Sequence, residues 1–143
     1  MEIKLLKKTD VSEQLQDQLS ELYLQLNSEL KQLSLQTILK EPENLDVAVC
    51  FEGNLLIGIA MMARYKVISG HKGIIEDVVV SEDHRGKGIG RKLMELLLDR
   101  AEESKLNDVL LFSGHHRTPA ISLYKSLGFT LKNSGLYVKK LKV

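Results

Sequence analysis

The residues best suited to chemistry in this sequence lie in a loop that contains Gly86, Gly88 and Gly90. Glycine has no Cβ, so such a loop can turn sharply and bring its main-chain N–H groups close to a ligand. The loop follows a β-branched run and precedes a segment with apolar residues at helical spacing, so a helix should begin here. The first amides of a helix have no internal acceptor and carry partial positive charge. The loop therefore predicts a phosphate-binding site.

Basic side chains and spacing narrow the choice of phosphate ligand. Arg85, Lys87 and Arg91 supply positive charge for further phosphate oxygens. The loop is not a Walker loop, because the required Gly-Lys-Ser/Thr ending is missing after Gly90. It is not a dinucleotide fingerprint either, because its third glycine comes too early and the motif lies deep in the chain. These two nucleotide classes are therefore excluded.

Two motifs resemble one family. Arg85-Gly-Lys-Gly-Ile-Gly90 resembles the Arg/Gln-x-x-Gly-x-Gly/Ala signature of the GNAT acetyltransferase superfamily, and residues 120–129 are similar to its second motif, Ala-x-x-x-Tyr-x-x-x-Gly-Phe. The resemblance implies acetyl-coenzyme A as co-substrate, with its diphosphate in the loop. It also implies relatives that modify small amines, aminoalkylphosphonates or amino sugars. The coenzyme-binding residues are then Val78, Val79, Val80, Arg85, Gly86, Lys87, Gly88, Ile89, Gly90, Arg91, Arg117 and Tyr124.

Periodicity and turn residues predict an alternation of strands and helices along the chain. Strands are expected at 2–7, 46–52, 55–68, 74–80, 108–113, 129–132 and 137–141, and the last two form a closing hairpin. Helices are expected near 15–26, 34–40, 88–104 and 118–128. Asp10 or Ser12 would cap the first helix, Ser34 the second and Thr118 the fourth, which Gly128 would end.

This order predicts an α/β (α+β) fold with a mixed sheet, because hairpins are antiparallel and the helix after residue 88 returns the next strand in parallel. The resemblance implies the GNAT fold, a mixed, mostly antiparallel sheet of six to seven strands flanked by about four helices. Its two parallel strands splay apart and admit the pantetheine arm, which pairs with the main chain of Val78, Val79 and Val80. The valine side chains are also compatible with ordinary core packing.

Acetyl transfer to an amine first requires a neutral amine, and Glu76 on the central strand is the candidate base. Deprotonating an ammonium group with a pKa of about 10.4 at pH 7 costs roughly 4 to 5 kcal/mol. Strict alternation places Asp77 on the face opposite Glu76, so the two carboxylates would not act as a pair. A β-bulge, common beside active sites, would change this parity. The alternative is a hydrogen-bonding role for Glu76, with ordered water relaying the proton.

Two further groups complete the expected chemistry. A main-chain N–H of Val79 or Val80 would stabilise the oxyanion of the tetrahedral intermediate. Tyr124 matches the tyrosine of the second motif, and its phenol, with an ordinary pKa of about 10, keeps a proton for the leaving sulfur. Such an acid contributes roughly 100-fold in rate. The alternative for Tyr124 is an aromatic residue packed on a core helix face.

The sequence departs from the family at Arg117, where many members have Asn seven residues before the tyrosine. Arg117 could bind a coenzyme phosphate or an anionic acceptor, or it could be an exposed loop residue. His115 and His116 precede it, but adjacent strand residues point to opposite sides and no second ligand motif is present. No metal is therefore expected.

Composition limits the classes of function. A chain of 143 residues predicts one domain, 1–143, and a net charge of +1 with no Trp argues against nucleic acid. No apolar stretch approaches the roughly 18 residues of a membrane helix and the N-terminus is not signal-like, so we expect a cytoplasmic protein without a membrane partner. Cys50, the single cysteine, is interpreted as a small buried residue and not as a nucleophile.

Two functions are compatible with these features. The first is direct transfer of acetyl from acetyl-CoA to a primary amine of a small molecule or peptide, without a covalent enzyme intermediate. The second is a non-catalytic module that binds or senses acetyl-CoA. Amine-dependent release of free thiol distinguishes them. The acceptor and the oligomeric state, a homodimer included, stay open.

Overall fold

The computed structural model describes residues 1–114 and 117–142 and divides into two compact units, Met1–Phe112 and Ser113–Val143. The first unit contains a mixed sheet with three α-helices. The second contains one α-helix followed by an extended segment. In the described ranges, no helix is both long enough and apolar enough to pass through a membrane.

The sheet of the first unit has five strands, arranged side by side in chain order. They are β1 (Glu2–Leu5), β2 (Leu45–Glu52), β3 (Leu55–Val67), β4 (Gly70–Val80) and β5 (Asp108–Leu111). The pairs β1–β2, β2–β3 and β3–β4 are antiparallel. β5 follows a helix and pairs with β4 in parallel, so the predicted mixed sheet is confirmed.

The described residues form four α-helices. They are α1 (Glu13–Tyr23), α2 (Leu35–Ile38), α3 (Ile89–Glu103) and α4 (Thr118–Ser126). Ser12 caps α1 by accepting a hydrogen bond from the amide of Leu15 at 3.1 Å, and Ser34 caps α2 in the same way. Asp10, the other predicted cap of α1, instead accepts from the amide of Lys7 at 2.8 Å.

α1 and α3 cover opposite faces of the sheet. Leu19 of α1 belongs to a buried cluster with Ile59 of β3. The preceding residue, Gly58, points to the other face, where a Cβ would lie 3.0 Å from Ile89 and 3.1 Å from Leu93 of α3. Glycine therefore lets α3 approach β3 closely. This contact fixes the beginning of α3, and with it the end of the glycine-rich loop, against the sheet.

A buried carboxylate also ties the sheet to α3. Asp46 of β2 is 7% exposed and accepts hydrogen bonds from Nε of Arg64 at 2.7 Å and from Nε of Arg100 at 3.2 Å. Arg64 lies on β3 and Arg100 on α3, so one carboxylate connects three elements. A buried charge is tolerated when it is paired in this way. The partners lie 18 and 54 residues away in the chain, so no local sequence pattern indicates these ion pairs.

The prediction of six to seven strands is wrong, because the described residues form five and the closing hairpin over 129–132 and 137–141 is not formed. Within the second unit, Leu131 is 87% exposed and Tyr137 is 95% exposed. A two-stranded hairpin is marginally stable unless its apolar face is covered. The alternating pattern of this segment is therefore insufficient to make it a hairpin.

Candidate active site

The glycine-rich loop has the predicted geometry at the start of α3. Gly86 and Gly88 have φ values of +80° and +78°, in the left-handed region that glycine adopts without strain. Gly88 is the N-cap of α3, and its carbonyl accepts the amide of Lys92 at 3.2 Å. The amides of Ile89 and Gly90, in the first turn, have no acceptor within the helix. Helix N-termini with this geometry bind phosphate groups.

Positive charge is concentrated around this helix start. The exposed basic side chains are those of Arg85, Lys87, Arg91 and Lys92. The first turn of α3 contains no acidic residue. Cations are unfavourable there, because the N-terminal end of the helix dipole is itself positive. Arg91 lies 4.0 Å from Glu95, but an exposed pair of this kind contributes little. A bound anion would offset the unfavourable charge.

Strand β4 contains a β-bulge beside this loop in sequence. In its pairing with β3, Val79 lies opposite Ile59, whereas Glu76 lies opposite Met61. Three steps along β4 therefore match two along β3, so β4 carries one extra residue. Asp77 lies in this bulge with φ of +52°, a value that is uncommon for residues other than glycine.

The bulge changes which side chains of β4 share a face. Met61 and its cross-strand neighbour Glu76 lie on the face covered by α1. Asp77 points to the same face, because its carboxylate accepts a hydrogen bond from the phenol of Tyr23 in α1 at 3.3 Å. The prediction that Asp77 lies opposite Glu76 is therefore wrong. Val79, which strict alternation placed on the other face, is buried against α1.

The pairing of β4 with β5 stops before the bulge. β5 pairs with β4 from Lys72 to Ile75, and in residues 1–114 and 117–142 no strand extends this pairing as far as Val80. The carbonyl of Val80 accepts a hydrogen bond from Nε of Arg85 at 3.1 Å. The main chain of Val78, Val79 and Val80, assigned to the pantetheine arm from the sequence, lies beyond this pairing.

A cavity of about 420 Å³ lies on the α1 face of the sheet, against the bulge. Its apolar walls come from α1, the segment that links α1 to α2, α2 itself, β2 and β3. Its polar groups include Tyr23 and Asp77. Burial raises the pKa of the Tyr23 phenol above its ordinary value, and the charges of Asp77 and Glu76 raise it further. Mostly apolar cavities with a few polar groups are typical of small-molecule sites.

Tyr23 and Asp77 are site residues that no local sequence motif indicated. They are 54 residues apart in the chain, and the bulge that brings them together reverses the side-chain parity on which the prediction depended. One signal was available in the sequence. Asp is among the few residues that adopt left-handed backbone readily, so an Asp inside a β-branched run favours a bulge.

Tyr124 lies on α4 in the second unit and is half-buried. Its ring packs edge-to-face against Phe129, with centroids 6.2 Å apart. Gly128 has φ of +95°, and the amide of Phe129 donates to the carbonyl of Tyr124, so the helix ends at the predicted glycine in a Schellman motif. Burial raises the pKa of the Tyr124 phenol, although the Arg117 guanidinium acts in the opposite direction. The phenol therefore remains protonated at neutral pH.

The other candidates add no further group to the site in the described part of the chain. Arg117 is exposed and occupies the N-cap position of α4, which the sequence predicted for Thr118. Cys50 is fully buried and burial raises the pKa of its thiol, which confirms its interpretation as a small buried residue. His115 and His116 lie outside the described residues. Within those residues, no group of three His, Cys, Asp or Glu side chains could hold a metal ion.

Comparisons with known proteins all point to the same family. The chain is similar to the L-amino acid N-acyltransferase MnaT of Escherichia coli K12, with 30% identity over 86 residues, which are 59% of this chain and 50% of that protein. It spans about half the length, or less, of the relatives that it matches.

Solved structures share the fold. A putative acetyltransferase from Agrobacterium tumefaciens C58 superimposes with a TM-score of 0.82 at 22% identity, covering 98% of this chain and 100% of the other. A predicted acetyltransferase with acetyl-CoA from Clostridium acetobutylicum gives 0.71 at 18% identity, covering 96% and 95%. The model of the acetyltransferase (GNAT) family matches residues 9–129, a range that includes the glycine-rich loop and α4. The chain belongs to the GNAT acetyltransferase family.

Proposed function

We propose that this protein is an acetyl-CoA-dependent N-acetyltransferase that transfers acetyl directly to the primary amine of a small molecule or peptide. The observation that best supports this is the glycine-rich loop, with two left-handed glycines before the start of α3 in a chain of this family. The coenzyme diphosphate would accept hydrogen bonds from the amides of Ile89 and Gly90. Arg85 and Lys87 would bind its remaining oxygens.

The pantetheine arm would then lie along the edge of β4 beyond Ile75, where the described residues provide no partner strand. Peptide-like ligands commonly bind such edges by main-chain hydrogen bonds, and the pantetheine arm contains two amide groups. An amide N–H of Val79 or Val80 would stabilise the oxyanion that forms on the thioester carbonyl. Binding of the arm would displace Arg85 from the carbonyl of Val80 and free its guanidinium for phosphate.

The proton steps use two side chains. Glu76 is exposed on the face that carries the cavity, so it can take the proton of the acceptor ammonium directly or through water. The amine nitrogen then attacks the thioester carbonyl and the C–S bond breaks. The thiolate takes a proton from Tyr124, which regains one as the new amide nitrogen loses its second proton. Burial raises the pKa of the Tyr124 phenol, so the phenol holds a proton at neutral pH that it can give to sulfur.

Thiol release from acetyl-CoA, measured against a panel of primary amines with mass spectrometry of the products, tests the proposal. We expect amine-dependent release and an acetylated amine in equal amounts. ADP should inhibit competitively against acetyl-CoA, and AMP should inhibit more weakly, because only ADP carries the diphosphate. Tight binding of acetyl-CoA with no turnover for any amine would favour the non-catalytic module instead.

A further inference from the structure

The cavity against the bulge of β4 is lined by the carboxylate of Asp77 and by the exposed cation of Lys31. Asp77 accepts a hydrogen bond from Tyr23, and the described residues form no ion pair with it. A carboxylate in an apolar cavity is costly unless a positive charge joins it. We propose that the acceptor is a primary amine with a compact apolar body, whose ammonium group binds Asp77. This inference rests on the proposed acetyl transfer.

The backbone holds Asp77 in an uncommon conformation. Its φ of +52° places the carboxylate in the cavity, whereas regular alternation would direct it to the other face of the sheet. Asp adopts this conformation more readily than most residues other than glycine, and non-glycine residues with left-handed backbone occur often at ligand-binding sites. The bulge thus presents the carboxylate to a ligand.

The charged groups around the cavity favour a single ammonium group. Burial and the charge of Asp77 raise the pKa of Tyr23, so its phenol stays neutral and donates to the carboxylate. Glu76 lies on the same face and adds a second negative charge. Lys31, an exposed cation of the segment between α1 and α2, also lines the cavity, so these three charged groups leave one negative charge, which one ammonium group would match.

The walls of the cavity favour an apolar body. Leu19, Ile38, Leu45, Ile59 and Met61 line it, and these side chains offer a ligand no hydrogen bonds. Gln32 adds an amide side chain to the lining, so an amino sugar would lose the hydration of most of its hydroxyl groups on this surface with few replacements. The volume of about 420 Å³ is that of a small-molecule site.

The position of Asp77 fits the transfer reaction. It directly precedes Val78, Val79 and Val80, the residues whose main chain is proposed to hold the pantetheine arm. An amine that binds this carboxylate therefore lies next to the strand edge along which the thioester would be delivered. Proximity of this kind accounts for much of the rate of group transfer between bound reactants.

A series of n-alkylamines from ethylamine to pentylamine tests the inference, with thiol release from acetyl-CoA as the signal. The pKa of the ammonium group is nearly constant in the series, so only the apolar body changes. We expect kcat/KM to rise about fourfold per methylene group until the cavity is full. Phenylethylamine should exceed glucosamine. A flat series, or a preference for glucosamine or spermidine, would overturn the inference.

Asp77→Asn removes the charge and keeps an acceptor for Tyr23, and Asn also tolerates left-handed backbone. We expect the KM for pentylamine to rise roughly tenfold or more, with the KM for acetyl-CoA and the urea midpoint unchanged. Asp99→Asn, the matched control, removes the same charge from an exposed position on α3 and should change neither KM. An unchanged amine KM in Asp77→Asn would contradict the role of Asp77.

Met61→Phe changes the shape of the cavity without changing its charge. The larger side chain should shift the best substrate of the alkylamine series to a shorter chain, and the KM for acetyl-CoA should not change. An unchanged optimum would show that the acceptor lies elsewhere and would overturn the inference. Thiol release with a flat series refutes only this inference, whereas no release with any amine refutes the proposed function as well.

Discussion

The glycine-rich loop and the cavity against the β4 bulge lie in the same unit but are built differently. The loop uses six consecutive residues, 85–90, and its binding groups are main-chain amides whose direction depends on two left-handed glycines. The cavity uses side chains from two helices, a connecting segment and three strands. A site formed by consecutive main-chain groups can be predicted from the local sequence. A site formed by side chains that are distant in the chain also depends on the pairing register of the strands.

Because they are built differently, the two regions should also recognise different chemical groups. Main-chain amides at a helix start bind any phosphate group of suitable shape, so the loop can serve a coenzyme shared by a whole family. Side chains that line a cavity fix the orientation and the specificity of a small ligand, and we propose that this cavity selects the acceptor. We therefore expect changes in the loop to alter the KM for acetyl-CoA, and changes in the cavity to alter the KM for the amine.

The largest expected effect concerns the scaffold that supports both regions. Asp46→Ala leaves Arg64 and Arg100 without their shared carboxylate and should lower the free energy of unfolding by about 3 kcal/mol. Urea denaturation followed by circular dichroism measures this loss. Asp99→Ala, an exposed control, should change stability by less than about 0.5 kcal/mol. Equal losses in the two variants would show that the buried ion pairs contribute little.

The next effect separates catalysis from binding. Tyr124→Phe removes the proposed acid and should lower kcat roughly 100-fold, because the thiolate then leaves without a proton. The KM for acetyl-CoA should stay within about twofold, since the phenol acts on the leaving group and not on the diphosphate. Steady-state kinetics at saturating amine measures both values. A kcat near that of the original protein would assign Tyr124 to packing against Phe129.

The pH dependence gives an independent test of the same residue. Burial raises the pKa of Tyr124, so the protonated form persists to higher pH than in an exposed tyrosine. The alkaline decline in kcat that is due to Tyr124 should therefore occur above about pH 10, and it should be absent in Tyr124→Phe. A decline near neutral pH that disappears in Tyr124→Phe would contradict the raised pKa.

A smaller effect tests whether the conformation of the loop matters for the coenzyme. Gly88→Ala forces a Cβ into left-handed backbone, with open space around it, and should cost about 1 to 2 kcal/mol of stability. Gly53→Ala is the matched control, because Gly53 has φ of +60° and equally open surroundings in the β2–β3 turn. Both variants should lose similar stability, and only Gly88→Ala should raise the KM for acetyl-CoA. An equal rise in the KM for acetyl-CoA in both variants would show that the conformation of the loop has no specific role in coenzyme binding.

The smallest effect concerns the exposed basic side chains of the loop. Their attraction for phosphate is screened by salt, so the KM for acetyl-CoA should rise a few-fold between about 0.05 and 0.5 M KCl. The KM for pentylamine should change less, because the carboxylate of Asp77 lies in a cavity. Kinetics at several salt concentrations measure the two slopes. A steeper salt dependence of the KM for pentylamine would contradict the proposal that the loop binds the coenzyme and the cavity binds the amine.

Local patterns were sufficient to predict where most helices begin and end. The caps at Ser12 and Ser34, the start of α3 after Gly88 and the end of α4 at Gly128 depend on neighbouring residues and are confirmed. The face of Asp77 was predicted wrongly, because one extra residue in β4 changes the parity of the strand. The closing hairpin was also wrong, because a strand forms only where its apolar face is covered, which a local pattern does not determine.

The decisive experiment for the role of the glycine-rich loop is a crystal structure with bound acetyl-CoA. We expect diphosphate oxygens within about 2.7 to 3.2 Å of the amide nitrogens of Ile89 and Gly90. The pantetheine arm should lie along the main chain of Val78 to Val80. A coenzyme whose diphosphate is held elsewhere, with no contact to these amides, would refute the proposed coenzyme site.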